Sequence, residues 1–167
     1  MPLILPGTVA SATASTTYDV ANSCRFNDDD SASLSKTPGS AGSNTVWTVS
    51  IWCKRGLLAD DMKLHAAGTS STYELLFADT DALTLYNGST EVFTTSRLFR
   101  DSSAWLHIVV AYNTGASGDA RCKLYVNGTQ ETAFSTDNRD DGSAMNHINQ
   151  DVVQYVGRTH GGGLFDG

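Results

Sequence analysis

An all-β fold is predicted by this sequence, most simply a two-sheet antiparallel jelly-roll sandwich preceded by an extended N-terminal arm. Three observations carry that prediction. From Ser23 onward apolar and polar residues alternate with period two, broken by polar turns about every 8–12 residues. Two Asn-Gly pairs, Asn87-Gly88 and Asn127-Gly128, supply residues that accept the positive φ of tight hairpin turns. Helical periodicity is not sustained anywhere.

Residues 1–21 are rich in Ala, Ser and Thr without apolar periodicity and read as an arm; residues 22–167 form the domain. Val46 to Lys54 is the clearest strand, with Val49, Ile51 and Cys53 on one face and Thr48, Ser50, Trp52 and Lys54 on the other. Burial of Trp52 would mean that this strand is covered on both sides. Tyr73–Phe77 and Ala82–Tyr86 form a hairpin across Asp79-Thr80-Asp81, and Asn87-Gly88 turns the chain into Glu91–Thr95. Trp105–Tyr112 is the most apolar run and a central strand by its aromatic and β-branched content. Cys122–Val126 meets Asn127-Gly128 and continues as Thr129–Phe134, the strongest hairpin signal present. A polar loop over 135–149 precedes a last strand, Val152–Val156.

The 167 residues suffice for one domain with one core. With 40% hydrophobic and 17% charged residues the chain is neither disordered nor a helical membrane protein. A net charge of −7, with 11 scattered Lys and Arg, supplies no basic stripe, so nucleic acid and anionic membrane surfaces are not expected partners, and no stretch approaches the roughly 18 apolar residues of a membrane span, so membrane insertion is not expected. The opening Met1-Pro2-Leu3-Ile4-Leu5-Pro6-Gly7 is too short for a secretory signal. Cys24, Cys53 and Cys122 form no CxxC pair, which disfavours a structural zinc site, and their odd number argues against a disulfide framework and favours assembly in a reducing cytosol.

Candidate chemistry is sparse. Asp28-Asp29-Asp30 reads as a solvated turn. Asn138, Asp140 and Asp141 lie in the long loop and are candidates for sugar contact; Asp140 and Asp141 are also candidate ligands for calcium, the one cofactor the sequence leaves open. His107 is expected to be a hydrogen-bonded sheet histidine. Trp47, Trp52 and Trp105 fall in apolar strands and are expected in the core. Tyr73 and Tyr86 beside turns, with Arg158 and His160 near the flexible Gly161-Gly162-Gly163, are the remaining candidate contact residues. Glycoside hydrolysis needs two carboxylates flanking the scissile bond. Glu74, Glu91 and Glu131 lie on separate segments, so no enzyme is expected.

Cys24-Arg25-Phe26-Asn27, Trp47-Thr48-Val49-Ser50-Ile51-Trp52, Trp105-Leu106-His107, Leu124-Tyr125-Val126-Asn127-Gly128 and Val156-Gly157-Arg158 occur in an order that resembles laminin-G-like domains of the concanavalin A-like lectin and glucanase superfamily. The resemblance spans residues 23–167 and implies a concanavalin A-like jelly roll. Such domains continue after a Phe-Asp-Gly like Phe165-Asp166-Gly167 into a further strand, so a missing last strand is expected here. It would be explained by a longer parent protein or by a neighbouring subunit filling the gap. The N-terminal heptapeptide, the arm and Ser23–Asn27 resemble the start of virion proteins of tailed, particularly marine, bacteriophages. That likeness implies a structural protein of a fibre, tail or capsid decoration at the virion surface. Its arm would dock on other virion subunits, it would be a homo-oligomer, and its jelly roll would bind cell-surface glycans. The alternative is an extracellular carbohydrate-binding or adhesion module of a secreted bacterial protein.

Overall fold

A computed structural model describes residues 23–69 and 73–167; the arm expected over residues 1–21 lies outside them. The described chain is built of strands, with one 3-10 turn at Gly118–Arg121. In chain order these are β1 Leu34–Lys36, β2 Val46–Cys53, β3 Met62–Ala67, β4 Tyr73–Phe77, β5 Ala82–Asn87, β6 Thr90–Leu98, β7 Leu106–Asn113, β8 Cys122–Val126, β9 Thr129–Gln130, β10 Phe134–Asp137, β11 Gln154–Val156, β12 Arg158–Thr159 and β13 Gly162–Leu164. A seven-stranded antiparallel sheet, ordered β1-β11-β3-β4-β5-β6-β10, faces a four-stranded sheet ordered β2-β7-β8-β9. The small β12–β13 hairpin packs beside β3.

The core lies between the two sheets. Trp47 and Cys53 of β2, Leu106, Ile108, Val110 and Tyr112 of β7, and Cys122, Leu124 and Val126 of β8 are its floor. They meet Leu64, Tyr73, Leu75, Phe77, Leu83, Leu85 and Phe93 of the large sheet. Trp47 stacks on Tyr112 at 5.4 Å and meets the edge of Tyr73 at 5.4 Å, so the aromatic payload is concentrated where the layers touch.

Four expectations are corrected. Trp52 and Trp105 are not in the core: they are 62% and 53% exposed, Trp52 at an outward position of β2, whose outer face no described strand covers, and Trp105 just before β7 begins at Leu106. The segment after Asn127-Gly128 is not one strand. β9 ends at Gln130, the chain crosses to the other layer, and Phe134–Asp137 pairs with β6 of the large sheet. Both Asn127 (φ 52) and Gly128 (φ 79) have left-handed backbone, as a type I′ turn requires. Asn87, by contrast, ends β5, and Gly88-Ser89 makes the turn. β3, unannounced by clean alternation, runs through the middle of the large sheet, its ladder interrupted by a bulge between Lys63 and His65.

The two layers are tied by charge as well as by apolar packing. Asp81, 5% exposed at the β4–β5 turn, accepts from Arg55 Nη2 at 3.0 Å, from the Ala59 N–H at 2.9 Å and from Arg100 Nε at 3.1 Å. Arg55 follows β2, donates to the Phe99 carbonyl at 2.6 Å and lies 4.5 Å over the Phe77 ring. Its guanidinium is fully buried. A buried cation of this kind persists only when paired.

Candidate functional site

The outer face of the seven-stranded sheet gathers polar side chains that are scattered in sequence. Directly paired residues of an antiparallel sheet project to the same side. The register pairs Tyr155 with Ala66, Ala66 with Glu74, Glu74 with Tyr86 and Tyr86 with Glu91, so one transverse row crosses five strands. A second row runs Lys63, Leu76, Thr84, Thr94, Thr136. A bulge that inserts Val92 lets Val92 and Phe93 both enter the core while Glu91 keeps its place beside Tyr86.

Several polar members are held by their neighbours. Lys63 Nζ lies 3.1 Å from Glu74 and 3.5 Å from Asp61. The Thr159 hydroxyl donates to Glu74 at 3.2 Å, fastening the β12–β13 hairpin over the row. The Thr94 hydroxyl donates to Glu91, and the Thr84 and Thr94 hydroxyls are 2.9 Å apart. Burial, and after it the carboxylates of Glu91, Asp61, Glu74 and Asp79, raise the Tyr86 phenol above its ordinary range. Tyr86 is therefore a protonated donor at neutral pH, ringed by acceptors.

Several residues singled out from sequence meet at this face. Arg158 and His160 flank Thr159; His160 Nδ1 is 3.3 Å from the Tyr155 hydroxyl, and the Arg158 guanidinium lies 5.8 Å from the Tyr155 ring centre. Asn138 donates its side-chain amide to the Glu91 carbonyl at 2.9 Å, placing it at the β6 end of the row. Tyr73 requires a correction: it is 0% exposed, packed between Trp47 and His65, and cannot touch a ligand from outside. Asp140 and Asp141 are exposed in the turn that follows Asn138, closed by the Asp141 N–H bond to the Asn138 carbonyl, and Arg121 donates to the Asp140 carbonyl. Among the described residues no third acidic, histidine or cysteine side chain joins them in a metal-binding group. Tyr155, Glu74, Glu91 and Lys63 were missed as site residues. The pairing register that assembles them carries no short-range signal, although Glu74 and Glu91 were visible as the glutamates nearest Tyr86.

The separation of Glu74 and Glu91 in sequence is also no separation in space, since the fold sets both on one row either side of Tyr86. Neither has the surroundings of an acid catalyst, which needs a carboxyl in an apolar pocket. Glu74 is committed to Lys63 and Thr159, and Glu91 to Thr94.

On the opposite layer, the outer face of the four-stranded sheet carries the exposed Trp52. It is stacked on His107 with ring centres 4.6 Å apart and planes 6° from parallel. His107 Nε2 is 2.9 Å from the Ser50 hydroxyl, the sheet histidine that the sequence led one to expect. Beside β2 opens a groove of about 650 Å³, lined by Phe26, Ile51, Trp52, Leu64, Trp105 and Phe165 among others, with Lys54 its one charged residue.

No curated protein matches the chain in sequence. A family model described as Laminin_G_3, concanavalin A-like lectin/glucanases superfamily, matches residues 26–167. The match covers the two described sheets from Phe26 to the last residue, and with that coverage the chain belongs to the concanavalin A-like lectin/glucanase superfamily as a laminin-G-like domain.

Proposed function

We propose that this domain is a non-catalytic binding module that takes a neutral glycan across the outer face of its seven-stranded sheet. The observation that carries this reading is the row Tyr155, Glu74, Tyr86, Glu91, in which a half-buried phenol lies between two carboxylates beside Lys63 and three threonine hydroxyls. A sugar ring presents an apolar face for an aromatic ring and a rim of hydroxyls that donate to carboxylates and accept from Lys or Tyr. Asp61, Glu74, Asp79 and Glu91 around Tyr86 outweigh Lys63 there, which disfavours sulfated or carboxylated sugars. Arg158 and His160 would contact the part of the glycan nearest Tyr155.

The setting we infer is a phage virion, with the domain exposed on a fibre, tail or capsid and residues 1–21 docking on neighbouring subunits of a homo-oligomer. This part rests on the likeness of residues 1–27 to the start of virion proteins of tailed bacteriophages. An extracellular adhesion module of a secreted bacterial protein would use the same sheet face and would differ in where the chain is found. Calcium at Asp140 and Asp141 is not needed for either reading.

Glycan-array screening of wild type and Tyr86→Ala is the direct test. Loss of one aromatic contact worth about 1.4 kcal/mol lowers affinity about tenfold. Binding that is absent from every neutral glycan, or indifferent to Tyr86→Ala, would sink the glycan reading. Antibody against the domain that fails to decorate purified particles, while recognising secreted bacterial protein, would move the setting to the alternative.

A further inference from the structure

We propose that Asn127 is a self-modification site: the Gly128 nitrogen attacks the Asn127 side-chain amide, and the β8–β9 hairpin converts with time to aspartyl and isoaspartyl forms. The inference is independent of the glycan and assembly parts of the preceding reading.

The chain carries two Asn-Gly pairs, and the fold treats them in opposite ways. Asn87 is half-buried at the end of β5, paired with Tyr73 of β4 on one side and Thr90 of β6 on the other. Both ends of its side-chain amide are engaged. Nδ2 donates to the Ala144 carbonyl at 3.2 Å, and Oδ1 accepts from the Asn146 N–H at 2.7 Å. Asn127 is exposed and lies outside any strand, at the tip of a hairpin on the edge of the small sheet. Its Oδ1 is engaged, and its Nδ2 has no acceptor among the described residues.

The reaction needs an accessible nucleophile and a polarised carbonyl, and the turn offers both. Gly128 has no Cβ to shield its nitrogen, and even an added Cβ would meet nothing within 4 Å. Its N–H has no acceptor among the described residues, so water or hydroxide can take the proton. The His107 N–H donates to Asn127 Oδ1 at 2.8 Å. That donor faces the oxygen that becomes negative when nitrogen adds to Cγ, the arrangement that stabilises a tetrahedral oxyanion. The bond from Gly128 N to Cγ forms, the Cγ–Nδ2 bond breaks, and the Gly128 proton ends on the departing ammonia. A five-membered imide is left. Water then opens it at Cγ, giving aspartate at position 127, or at the backbone carbonyl, giving isoaspartate. No oxidant or reductant is involved.

Asn127 holds a φ of 52°, so its ψ must rotate before the Gly128 nitrogen reaches Cγ. Little resists that rotation. β9 is only Thr129–Gln130, exposed, and joined to β8 through two register pairs. At Asn87 the same rotation would break pairing to two strands and both amide hydrogen bonds. Edge turns open at a much smaller free energy than ladders in the body of a sheet.

The two products differ in effect. Aspartate tolerates the left-handed backbone and still accepts from the His107 N–H. Isoaspartate adds a backbone carbon to a two-residue turn, so β9 can no longer keep its register with β8. The Glu131 N–H then loses the Leu124 carbonyl, which it now meets at 2.8 Å, and the crossing to β10 loses its anchor.

The full chain, held folded at mildly alkaline pH and in parallel in guanidinium chloride, gives the test. Trypsin places the two pairs in separate peptides, 64–97 and 124–139. Conversion is read from the mass of each peptide, and isoaspartate from its separate chromatographic peak. The expected result is conversion at Asn127 at least about tenfold faster than at Asn87 in the folded chain, with the two rates drawing together in denaturant. The isoaspartyl fraction should show fast amide exchange at Glu131. Conversion at Asn127 no faster than at Asn87 in the folded chain overturns the inference. So does an Asn127 that stays intact while the denatured sample converts. An isoaspartyl chain whose Glu131 amide remains protected overturns the effect on β9.

Discussion

Asp81→Asn isolates the charge that ties the two sheets. Asparagine keeps the shape of the side chain and tolerates the φ of 70° found at this position, so the perturbation is electrical rather than steric. It leaves the fully buried Arg55 guanidinium without its counter-ion, since Arg55 otherwise reaches only the Phe99 carbonyl and the Phe77 ring. Breaking one side of a buried ion pair costs about 3–5 kcal/mol. For a domain of this length that lowers Tm by roughly 6–20 °C. Arg100→Ala is the control: its side chain is 63% exposed, and an exposed pair is worth about 0–1 kcal/mol. Arg55→Met in the Asp81→Asn background removes the stranded charge and should recover part of the loss. Thermal and urea unfolding of the four proteins give the comparison. The pH profile adds an independent check. The Ala59 N–H first, with Arg100 and Arg55 after it, holds the Asp81 carboxyl below the usual range. Its contribution is thus present above the ordinary carboxylate pKa and is lost as pH falls through the lowered value; Asp81→Asn should flatten that acid limb. A cost for Asp81→Asn under about 1 kcal/mol, or a double variant no more stable than the single, would refute the clamp.

Three further outcomes follow from burial. Trp47→Ala should cost about 3–5 kcal/mol and Trp52→Ala less than about 1.5 kcal/mol, measured by urea unfolding, since only the first ring lies between the sheets. Burial lowers His65 to about 4, below its unfolded value of about 6.5. Stability is therefore full above the unfolded value and falls as pH drops through this window, by up to about 1.4 kcal/mol per pH unit, a slope that His65→Phe should remove. Burial pushes the Cys53 and Cys122 thiols up to about 12 while Cys24 is exposed, so a thiol reagent should modify Cys24 quickly and the other two only on unfolding.

Much of the fold was legible because strand periodicity and turn chemistry are local. β4 matches the expected Tyr73–Phe77, β2 and β5 end within one residue of the expected Val46–Lys54 and Ala82–Tyr86, and the Asn127-Gly128 turn stands where its dipeptide put it. What failed was information carried by partners. Alternation along β2 separates two faces but does not say which layer covers each, and nothing in the neighbours of Trp52 reveals that no described layer covers the outer face of the small sheet. β3 went unread because its bulge puts Leu64 and His65 out of strict alternation, leaving a core strand without its signature. The crossing between Gln130 and Phe134 turns on three residues with no Gly or Pro among them. The candidate site was legible only in part. Tyr86, Asn138, Arg158 and His160 could be guessed as exposed polar or aromatic groups near turns, but the row that gives Tyr86 its carboxylates depends on register between strands far apart in sequence.

The strand order of the large sheet has a consequence for the sequence of assembly. β3 to β6 form a continuous meander of strands close in sequence, so these pairings close small loops and can form early. β1 cannot complete the sheet until β11 exists, since its partner for Leu34 is Val156 and it touches β3 only through that strand. Tyr155, and Thr159 with its grip on Glu74, therefore arrive last. The face with Tyr86 at its centre is built in two stages, and a chain halted before residue 154 would hold a folded meander whose row is unfinished, a species that exposes the edge of β3 and is the point at which misassembly competes with completion.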